Sequence, residues 1–328
     1  MKILITGVAG FVGSRLAKAL LDRVGEGGGG NQVIGFDNFD PYYDRLHKDR
    51  HLRDLLPNKN FTFLEADLRT PDALTAIFQQ HQPEAVVHLA AMAAVRYSVQ
   101  HPLIYGQVNV QGTMNLLDAA RLTTPKNALP PRFVIASTGS VYGTSTPVPF
   151  TESAPADRPL APYPASKRSM ELMAHCFHHL FQIPTTIVRF FNVYGPHGRP
   201  DMMPWQWTLD ILHNKPLTLY NAGKLKRDWT YIDDIVTGLI LALQKPFPFE
   251  IINLGCSNPV ENLRFVQTLE TLLNKKATIL DTPTPPSEPQ ISYADVTKAK
   301  TLLGYTPKTQ VETGLSNFIT WMRQEKII

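Results

Sequence analysis

The chain has 328 residues, 18% of them charged, a formal net charge of +4 and a pI near 8.9. It is longer than one average domain, and its length fits a main domain with a smaller lobe appended. The mild charge, with no cluster of lysines and arginines, argues against a nucleic-acid partner. No apolar stretch is long enough to cross a bilayer, which argues against a membrane protein.

Cysteine use and the first residues bear on the cellular compartment. The two cysteines, Cys176 and Cys256, provide no disulfide framework and are typical of a reducing compartment. Met1 leads directly into an apolar run, so we expect neither a cleaved signal nor an N-terminal anchor. The sequence therefore predicts a cytoplasmic protein.

A glycine-rich turn follows the first apolar run. Residues 1–6 suit a strand buried in a parallel sheet, and helical periodicity covers residues 14–21. Between them lie Gly7, Gly10 and Gly13, which remove side chains where backbone N–H groups and a helix N-terminus can meet a pyrophosphate. The pattern predicts a dinucleotide-binding turn.

An acidic residue ends the second predicted strand, residues 32–36. The carboxylate of Asp37 can accept hydrogen bonds from the adenosine ribose hydroxyls, and it would repel a 2′-phosphate. The sequence therefore predicts NAD rather than NADP as the cofactor. The glycine-rich stretch 25–31 lies at the wrong end of the first helix for a phosphate loop and is predicted to be a surface loop.

Strands and helices alternate through the first half of the chain, which predicts an α/β fold with a doubly wound parallel sheet. We expect residues 1–190 to form the dinucleotide-binding domain with the catalytic groups. Residues 191–328 are expected to form mainly a smaller substrate-binding lobe, with the chain crossing between lobes near 225–260. Further strands are predicted at 61–65, 85–91 and 132–137, and helices at 71–82, 109–122, 203–213, 233–243, 263–272 and 311–323.

Hydroxyl-bearing residues follow the predicted strand 132–137. The turn contains Thr138 and Ser140, and it falls at the carboxyl edge of the sheet, where folds of this kind bind ligands. A hydroxyl in this turn can hold a reacting alcohol oxygen. A Ser/Thr-rich turn without a catalytic role is the alternative.

Tyr163 and Lys167 are spaced by one turn of a helix, so the phenol and the ammonium project from one face. A nearby positive charge favours the phenolate, and a phenolate is a general base for alcohol oxidation. The spacing alone also occurs on solvated helix faces, so its value depends on the nearby dinucleotide signal. The histidines of the same segment, His175, His178 and His179, lack carboxylate partners, and no metal is expected.

Taken together, these motifs resemble the extended short-chain dehydrogenase/reductase superfamily over nearly the whole chain. They are the glycine turn, Asp37, HLAA, NVQGT, STGSVYG, Tyr-x-x-x-Lys and RFFNVYGP. Within it, DNFDPYYDRLHKDR, AAVRYSVQHPLIYGQVNVQGTMNLLDAAR, VYGPHGRPDM and YADVTKAKTLLGYTPKTQVETGL look like the UDP-glucuronate 4-epimerases.

The resemblance implies NAD-dependent 4-epimerisation of a UDP-sugar. Tyr163 would take the proton of the 4-hydroxyl while its C4 hydride moves to NAD, Thr138 would position that hydroxyl, and Lys167 would hold the phenolate. The resulting 4-keto sugar would rotate and receive the hydride on its other face. The implied cofactor-binding residues are Gly7, Gly10, Phe11, Val12, Gly13, Asp37, Asp67, Leu68, Leu89, Ala90, Ala91, Asn109, Tyr163, Lys167 and Phe190.

Related activities are disfavoured by the turn after Thr138. Dehydratases of this superfamily need an acid pair there, and decarboxylases that make UDP-xylose carry a glutamate. This chain has Gly139 and Ser140, which cannot do that acid–base work. Epimerisation therefore remains the implied reaction.

The substrate is implied to be UDP-glucuronate. Arg199 is the candidate for binding its carboxylate bidentately, Arg227 matches a position that contacts the diphosphate, and Thr138, Ser140 and Asn192 complete the implied substrate-binding set. Gly139, Asn192 and the segment 286–289 depart from the glucuronate pattern. A 4-epimerase of a neutral or N-acetylated UDP-sugar therefore stays open, and so does a non-catalytic NAD-binding regulator. The resemblance also implies a homodimer through helices 109–122 and 163–181.

Overall fold

The computed structural model describes residues 1–23, 30–144, 146–285 and 288–328. Most of the predicted glycine-rich loop, and Pro286 and Ser287 of the segment that departs from the glucuronate pattern, lie outside the described residues. The strands, in chain order, are β1 Lys2–Thr6, β2 Gln32–Asp37, β3 Phe61–Glu65, β4 Ala85–His88, β5 Arg132–Thr138, β6 Thr185–Phe190, β7 Val193–Tyr194, β8 Leu217–Tyr220, β9 Lys226–Asp228, β10 Thr230–Tyr231, β11 Phe249–Leu254, β12 Pro259–Glu261, β13 Ile279–Thr282 and β14 Ile291–Ser292.

The helices surround this framework of strands. A π-helical turn, Gly106–Gln111, leads into α6, and 3₁₀ turns cover Gly139–Tyr142 and Asn221–Gly223. The α-helices are α1 Phe11–Leu21, α2 Arg45–Arg53, α3 Pro71–His81, α4 Val95–Gln100, α5 Pro102–Tyr105, α6 Gly112–Thr123, α7 Pro162–Phe181, α8 Met203–Leu212, α9 Ile232–Gln244, α10 Asn262–Leu273, α11 Thr297–Leu303 and α12 Val311–Gln324. Among the described residues, no helix combines the length and the apolarity that crossing a membrane requires.

One seven-stranded parallel sheet organises the protein, in the order β3–β2–β1–β4–β5–β6–β11. The order reverses between β1 and β4, where doubly wound sheets leave a crevice at the carboxyl ends of the strands. The predicted fold class is therefore confirmed.

The sheet is covered on both faces, and its inner strand β1 contributes apolar side chains to each of them. Along β1, Ile3 and Ile5 pack into the core on one face, whereas Leu4 belongs to the core on the other. Alternate residues of a strand point to opposite faces, so a continuous apolar run is what two covered faces require.

Strands β6 and β11 and helix α2 are among the elements that the sequence patterns did not predict. Strand β6 contains a charged residue, Arg189, and β11 lies beyond residue 190 in the chain, yet both extend the sheet. Helix α2 is strongly polar, so it lacks the apolar stripe that predicts a helix; its N-cap, Asp44, accepts a hydrogen bond from the Leu46 N–H at 2.9 Å.

Beyond β6 the chain also builds small sheets, which pair β7 with β10, β8 with β13, and β9 with β12 and β14. Helices α8, α10 and α12 pack with them through aromatic residues such as Trp205, Phe265 and Phe318. This part borders the carboxyl edge of the main sheet through the loop that carries Arg199.

Candidate active site

A cavity of about 360 Å³ opens at the carboxyl edge of the main sheet. The ends of β1, β2, β4, β5 and β6 all reach it, so residues far apart in sequence meet there. The predicted site residues that line it are Gly7, Gly10, Phe11, Val12, Gly13, Asp37, Asp67, Leu68, Leu89, Ala90, Ala91, Thr138, Ser140, Tyr163, Lys167, Phe190, Asn192 and Arg199.

The glycine turn has the geometry of an anion site. Gly7 has φ +71°, and a Cβ on Gly13 would lie 2.2 Å from the Gly7 carbonyl oxygen, so neither position accepts a side chain. Gly10 is the N-cap of α1, and no side chain caps this helix end. The backbone N–H groups at the start of α1 are thus left for a ligand, and the turn fits a pyrophosphate.

The turn is joined to the end of β4 by a buried hydroxyl. Thr6 Oγ1 accepts hydrogen bonds from the N–H groups of Leu89 at 3.2 Å and Ala90 at 3.0 Å. With both lone pairs engaged, Thr6 donates to His88 Nδ1 at 2.7 Å, and burial lowers the pKa of His88 to about 3. This contact holds the first and fourth strands in register at the cavity wall.

Asp37 lies at the end of β2, where a carboxylate that binds the adenosine ribose is expected. The Asp37 carboxylate also has two hydrogen-bond partners within the protein. Its Oδ1 accepts hydrogen bonds from the Phe39 N–H at 2.9 Å and from Lys48 Nζ at 3.0 Å. Both Asp37 and Lys48 are buried, and Lys48 was not predicted. Nearby, hydrogen bonds from Arg69 hold the pKa of Asp67 well below its usual range.

Lys167 and Tyr163 lie on the first two turns of α7 and face the cavity. The Lys167 ammonium is buried and donates to the Ala136 carbonyl at 2.9 Å. Burial lowers the pKa of Lys167 to about 8, opposed by the negative charge of Glu171.

The groups that shift the pKa of Tyr163 differ from the expected one. The sequence predicts that Lys167 favours the phenolate, whereas in the structure burial raises the pKa of Tyr163 and the groups that lower it are Arg199 and a hydrogen bond with Thr138. The Lys167 ammonium instead donates to the Ala136 carbonyl at 2.9 Å. Arg199 is therefore part of the electrostatics of the base.

A buried ion pair between Arg189 and Glu171, which was not predicted, lies next to the strand end and the helix that form the site. Glu171, one turn after Lys167 on α7, accepts from Arg189 at 2.9 and 2.7 Å and from the Ser137 hydroxyl at 2.5 Å. Ser137 precedes Thr138 in β5, so the pair ties the hydroxyl-bearing strand end to the helix that carries Tyr163. A glutamate in a helical pattern gives no sequence signal for such burial.

Arg199 also differs from expectation. Its Nε and Nη2 donate to Asp201 at 2.9 and 2.6 Å, and Nη2 also donates to the Ala93 carbonyl at 3.1 Å. Asp201 further accepts from the Tyr42 hydroxyl at 3.1 Å. Among the described residues, Nη1 makes no hydrogen bond, so one edge of the guanidinium remains for a ligand.

Two predicted residues do not reach the cavity. Asn109 is buried behind it, where its amide donates to the Met92 carbonyl and to Ser166, both at 2.9 Å. Arg227 lies on β9 and pairs with Glu288 at 2.8 Å. Asn109 therefore contacts the cavity wall from outside, and Arg227 belongs to the smaller lobe.

Several cavity residues come from the motif DNFDPYYDRLHKDR, which carried the resemblance without assigning roles to them. They share one segment, which follows β2 and lines the cavity. The cavity-lining residues of this segment that were not predicted are Asn38, Asp40, Tyr42, Tyr43 and Lys48. Met92, Tyr105 and Met202, from other parts of the chain, also line the cavity and were not predicted.

Gly139 is explained by packing. A Cβ at this position would lie 2.6 Å from the ring of Phe191, which is buried in a small aromatic core with Tyr142 and Phe150. Gly139 lacks the serine hydroxyl of the glucuronate pattern because the Phe191 ring leaves no room for a side chain at this position.

We predict that Gly139→Ser lowers the free energy of unfolding by about 1–3 kcal/mol, because overpacking forces the Phe191 ring to move. Chemical denaturation measures the change. The control is Ser140→Ala at the neighbouring exposed position, where the expected change is within about 0.5 kcal/mol. Equal stability of Gly139→Ser and the wild type would contradict the packing explanation.

The glycine turn, the acidic end of β2 and the Tyr163–Lys167 pair meet on one doubly wound sheet. This combination defines an extended short-chain dehydrogenase/reductase. Within the described residues, no group of three or more His, Cys, Asp or Glu side chains is placed to hold a metal ion.

Comparison with known proteins identifies the family. The profile described as GDP-mannose 4,6 dehydratase matches residues 4–318. A UDP-glucuronate 4-epimerase of Thermodesulfobacterium geofontis is 39% identical over 322 residues, covering 98% of this chain and 96% of that protein. A probable UDP-glucuronate 4-epimerase of Rhizobium meliloti is 37% identical over 344 residues, covering 99% and 97%. The chain belongs to this family of short-chain dehydrogenase/reductase-type epimerases and dehydratases.

A solved structure gives the same result. The crystal structure of Bacillus cereus UDP-glucuronic acid 4-epimerase, in complex with UDP-glucuronic acid and NAD, matches with a TM-score of 0.90 at 35% identity. The match covers 99% of this chain and 100% of that one. The resemblance found in the motifs is therefore confirmed.

Proposed function

We propose that this protein is an NAD-dependent UDP-sugar 4-epimerase that interconverts UDP-glucuronate and UDP-galacturonate. The observation that carries the proposal is the convergence of Tyr163, Thr138 and Arg199 on the cavity that begins at the glycine turn. The relatives named above, which are epimerases of this substrate, support it.

The residues present fit NAD. The uncapped start of α1 with Gly7, Gly10 and Gly13 would take the pyrophosphate, and Asp37 would take the adenosine ribose. Asp67 and Leu68 would border the adenine. NAD, when bound, supplies the acceptor and donor of a hydride.

The chain's own groups would handle the proton. Thr138 would hold the sugar 4-hydroxyl, and Tyr163 would remove its proton as C4 loses a hydride, leaving a 4-keto sugar. The 4-keto sugar would then rotate in the site, so that the hydride returns to the other face of C4, and Tyr163 would give the proton back to the oxygen. The positive charge of Arg199 favours phenolate formation, which burial of Tyr163 opposes.

The turn after Thr138 favours epimerisation over elimination. Dehydration and decarboxylation both need an additional acid or base beside the sugar. Gly139 faces the Phe191 ring, and Ser140 offers only a hydroxyl at the cavity. The family includes dehydratases, and this difference in chemistry sets the present chain apart from them.

Arg199 would hold the glucuronate carboxylate through the edge that Asp201 leaves open. The same ion pair favours a second candidate function, a 4-epimerase of a neutral UDP-sugar, because Asp201 already balances the charge of Arg199. Asn192, which lines the cavity, also suits a neutral sugar.

A substrate panel separates the two candidates. The purified protein is incubated with UDP-glucuronate, UDP-glucose and UDP-N-acetylglucosamine, and the products are separated by anion-exchange chromatography. We expect conversion of UDP-glucuronate to UDP-galacturonate at a higher kcat/KM than for either neutral sugar. Turnover of UDP-glucose with no conversion of UDP-glucuronate would overturn the substrate assignment.

We also propose that residues 1–190 mainly bind NAD, that residues 191–328 mainly bind the sugar nucleotide, and that the protein is a cytoplasmic homodimer. The dimer face would be the outer surface of α6 and α7. Leu122 is 61% exposed, Leu172 51% and Leu180 67%, although all three are apolar. Apolar side chains exposed together on adjacent helices are typical of a covered interface.

The dimer makes a direct prediction about mass. Leu172→Glu combined with Leu180→Glu should convert a dimer to a monomer in light scattering, because two buried carboxylates would oppose each other across the symmetric contact. Leu129→Glu is the matched control, since Leu129 is 93% exposed and lies on neither helix. A monomeric wild type, or a dimer that survives both substitutions, would contradict the proposed face.

A further inference from the structure

Helix α2 carries two buried polar side chains, and one of them, Lys48, lines the cavity. Lys48 is 6% exposed and His51 is 5% exposed, and they lie one turn apart on one face. Lysine is almost never buried without a partner, so its burial calls for an explanation.

The partner of Lys48 is the carboxylate expected to bind the ribose. Lys48 Nζ and the Phe39 N–H both bond Oδ1 of Asp37, at 3.0 and 2.9 Å. Among the described residues, Oδ2 accepts no hydrogen bond. The carboxylate is thus fixed through one oxygen, and its other oxygen is available to a ligand.

The ammonium itself also faces the ligand. Lys48 lines the cavity together with Tyr43, whose ring centroid is 5.4 Å from Nζ. Within the described part of the chain, Asp37 is the acceptor that Nζ bonds, and an ammonium has three donor positions. Lys48 therefore has donor capacity to offer beside the ribose position.

The second residue of this face ties α2 to the glycine turn. His51 Nδ1 lies 2.8 Å from the carbonyl oxygen of Ala9, so the ring donates its proton there. Burial lowers the pKa of His51 to about 4, and the ring is neutral at physiological pH. Helix α2 thus contacts both Asp37, which is expected to bind the ribose, and the glycine turn, which is expected to bind the pyrophosphate.

We propose that Lys48 is a cofactor-binding and specificity-determining residue, which holds Asp37 in its binding position and offers its own ammonium to the adenosine ribose. The proposal rests on the proposed binding of NAD. Cofactor choice then has a different explanation. Asp37 would act on a 2′-phosphate as one half of an ion pair with Lys48 and not as a free negative charge.

This has a consequence for NADP. With Asp37 neutralised, Lys48 would be an unpaired ammonium at the position of the 2′-phosphate, where a lysine binds phosphate as a point charge. Asp37→Asn should therefore shift the preference toward NADP, and it should do so only while Lys48 is present.

The test is a double-mutant cycle in cofactor binding. Wild type, Lys48→Met, Asp37→Asn and the double variant are stripped of bound nucleotide, and Kd values for NAD and NADP are measured by calorimetry. We expect Lys48→Met to weaken NAD binding by roughly tenfold or more, because a buried carboxylate loses its partner. We expect Asp37→Asn to raise the NADP-to-NAD affinity ratio by at least about tenfold, and the double variant to lose most of that gain.

Controls separate this role from a structural one. Lys59→Met removes an exposed lysine outside the cavity and should leave both Kd values unchanged. Lys48→Arg keeps the charge and should retain NAD binding, and thermal unfolding identifies any variant that fails to fold. If Lys48→Met lowers stability while Lys48 makes no difference to the NADP-to-NAD ratio in the Asp37→Asn background, the proposal is wrong. A wild-type protein that does not bind NAD would instead overturn the proposed function.

Discussion

Tyr163→Phe is expected to lower kcat for UDP-glucuronate by roughly 10²–10⁴-fold, the contribution typical of a general acid–base group. Phenylalanine keeps the ring that packs beside Tyr105 but cannot take the proton of the 4-hydroxyl. Steady-state assays by chromatography of the UDP-sugars measure the loss.

The controls for this variant address folding and cofactor binding. Tyr163→Phe should retain its bound NAD and its unfolding temperature, because the hydroxyl contributes to the reaction rather than to the core. Tyr220→Phe, on β8 and outside the cavity, should keep wild-type activity. A Tyr163→Phe protein as fast as the wild type would mean that another group is the base.

Arg199→Met is expected to lower kcat/KM for UDP-glucuronate by roughly 10–100-fold through the loss of a charge-assisted contact to the carboxylate. Neutral UDP-sugars should lose less, since they have no carboxylate to bind. Because the positive charge of Arg199 lowers the pKa of Tyr163, its removal raises that pKa. The acid limb of the pH–rate profile should therefore move to higher pH with either class of substrate.

Asp201 complicates this variant and also supplies its control. Removing Arg199 leaves a partly buried carboxylate unpaired, which is itself destabilising. The double variant Arg199→Met with Asp201→Asn removes both charges, and it should keep the loss of selectivity for the acidic sugar. If the double variant recovers wild-type kcat/KM for UDP-glucuronate, Arg199 does not bind the carboxylate.

The main sheet was predictable where local pattern and environment agree. Strand β1 is an apolar run followed by glycines, and burial on both faces is what such a run requires. Helix α2 was missed since its apolar stripe is nearly absent, and β6 and β11 were missed because their place in the sheet depends on long-range pairing.

The sequence predicted most of the residues that line the cavity, but it did not predict which groups bond one another there. Thr138, Tyr163 and Lys167 reach the cavity, as their spacing and the resemblance implied. The pairing of Lys48 with Asp37 joins a helix to a strand end, and the hydrogen bonds from Lys167 to Ala136 and from Thr6 to His88 likewise cross between elements. Such contacts have no periodicity that a sequence displays.

The ion pair between Arg199 and Asp201 shows the same limit for the substrate. The two residues are close in sequence, yet whether the arginine faces a ligand or its neighbour depends on how the loop folds against Ala93 and Tyr42. The choice between an acidic and a neutral sugar therefore depends on tertiary structure.

In the proposed mechanism, C4 of UDP-glucuronate is inverted by removal and return of a hydride within one site. The most direct measurement is conversion in D₂O, with the UDP-galacturonate product examined by NMR at C4. We predict that the product forms and retains protium at C4, because a hydride held on the cofactor does not exchange with solvent. Deuterium at C4 of the product, or no product at all, would contradict the proposed hydride transfer.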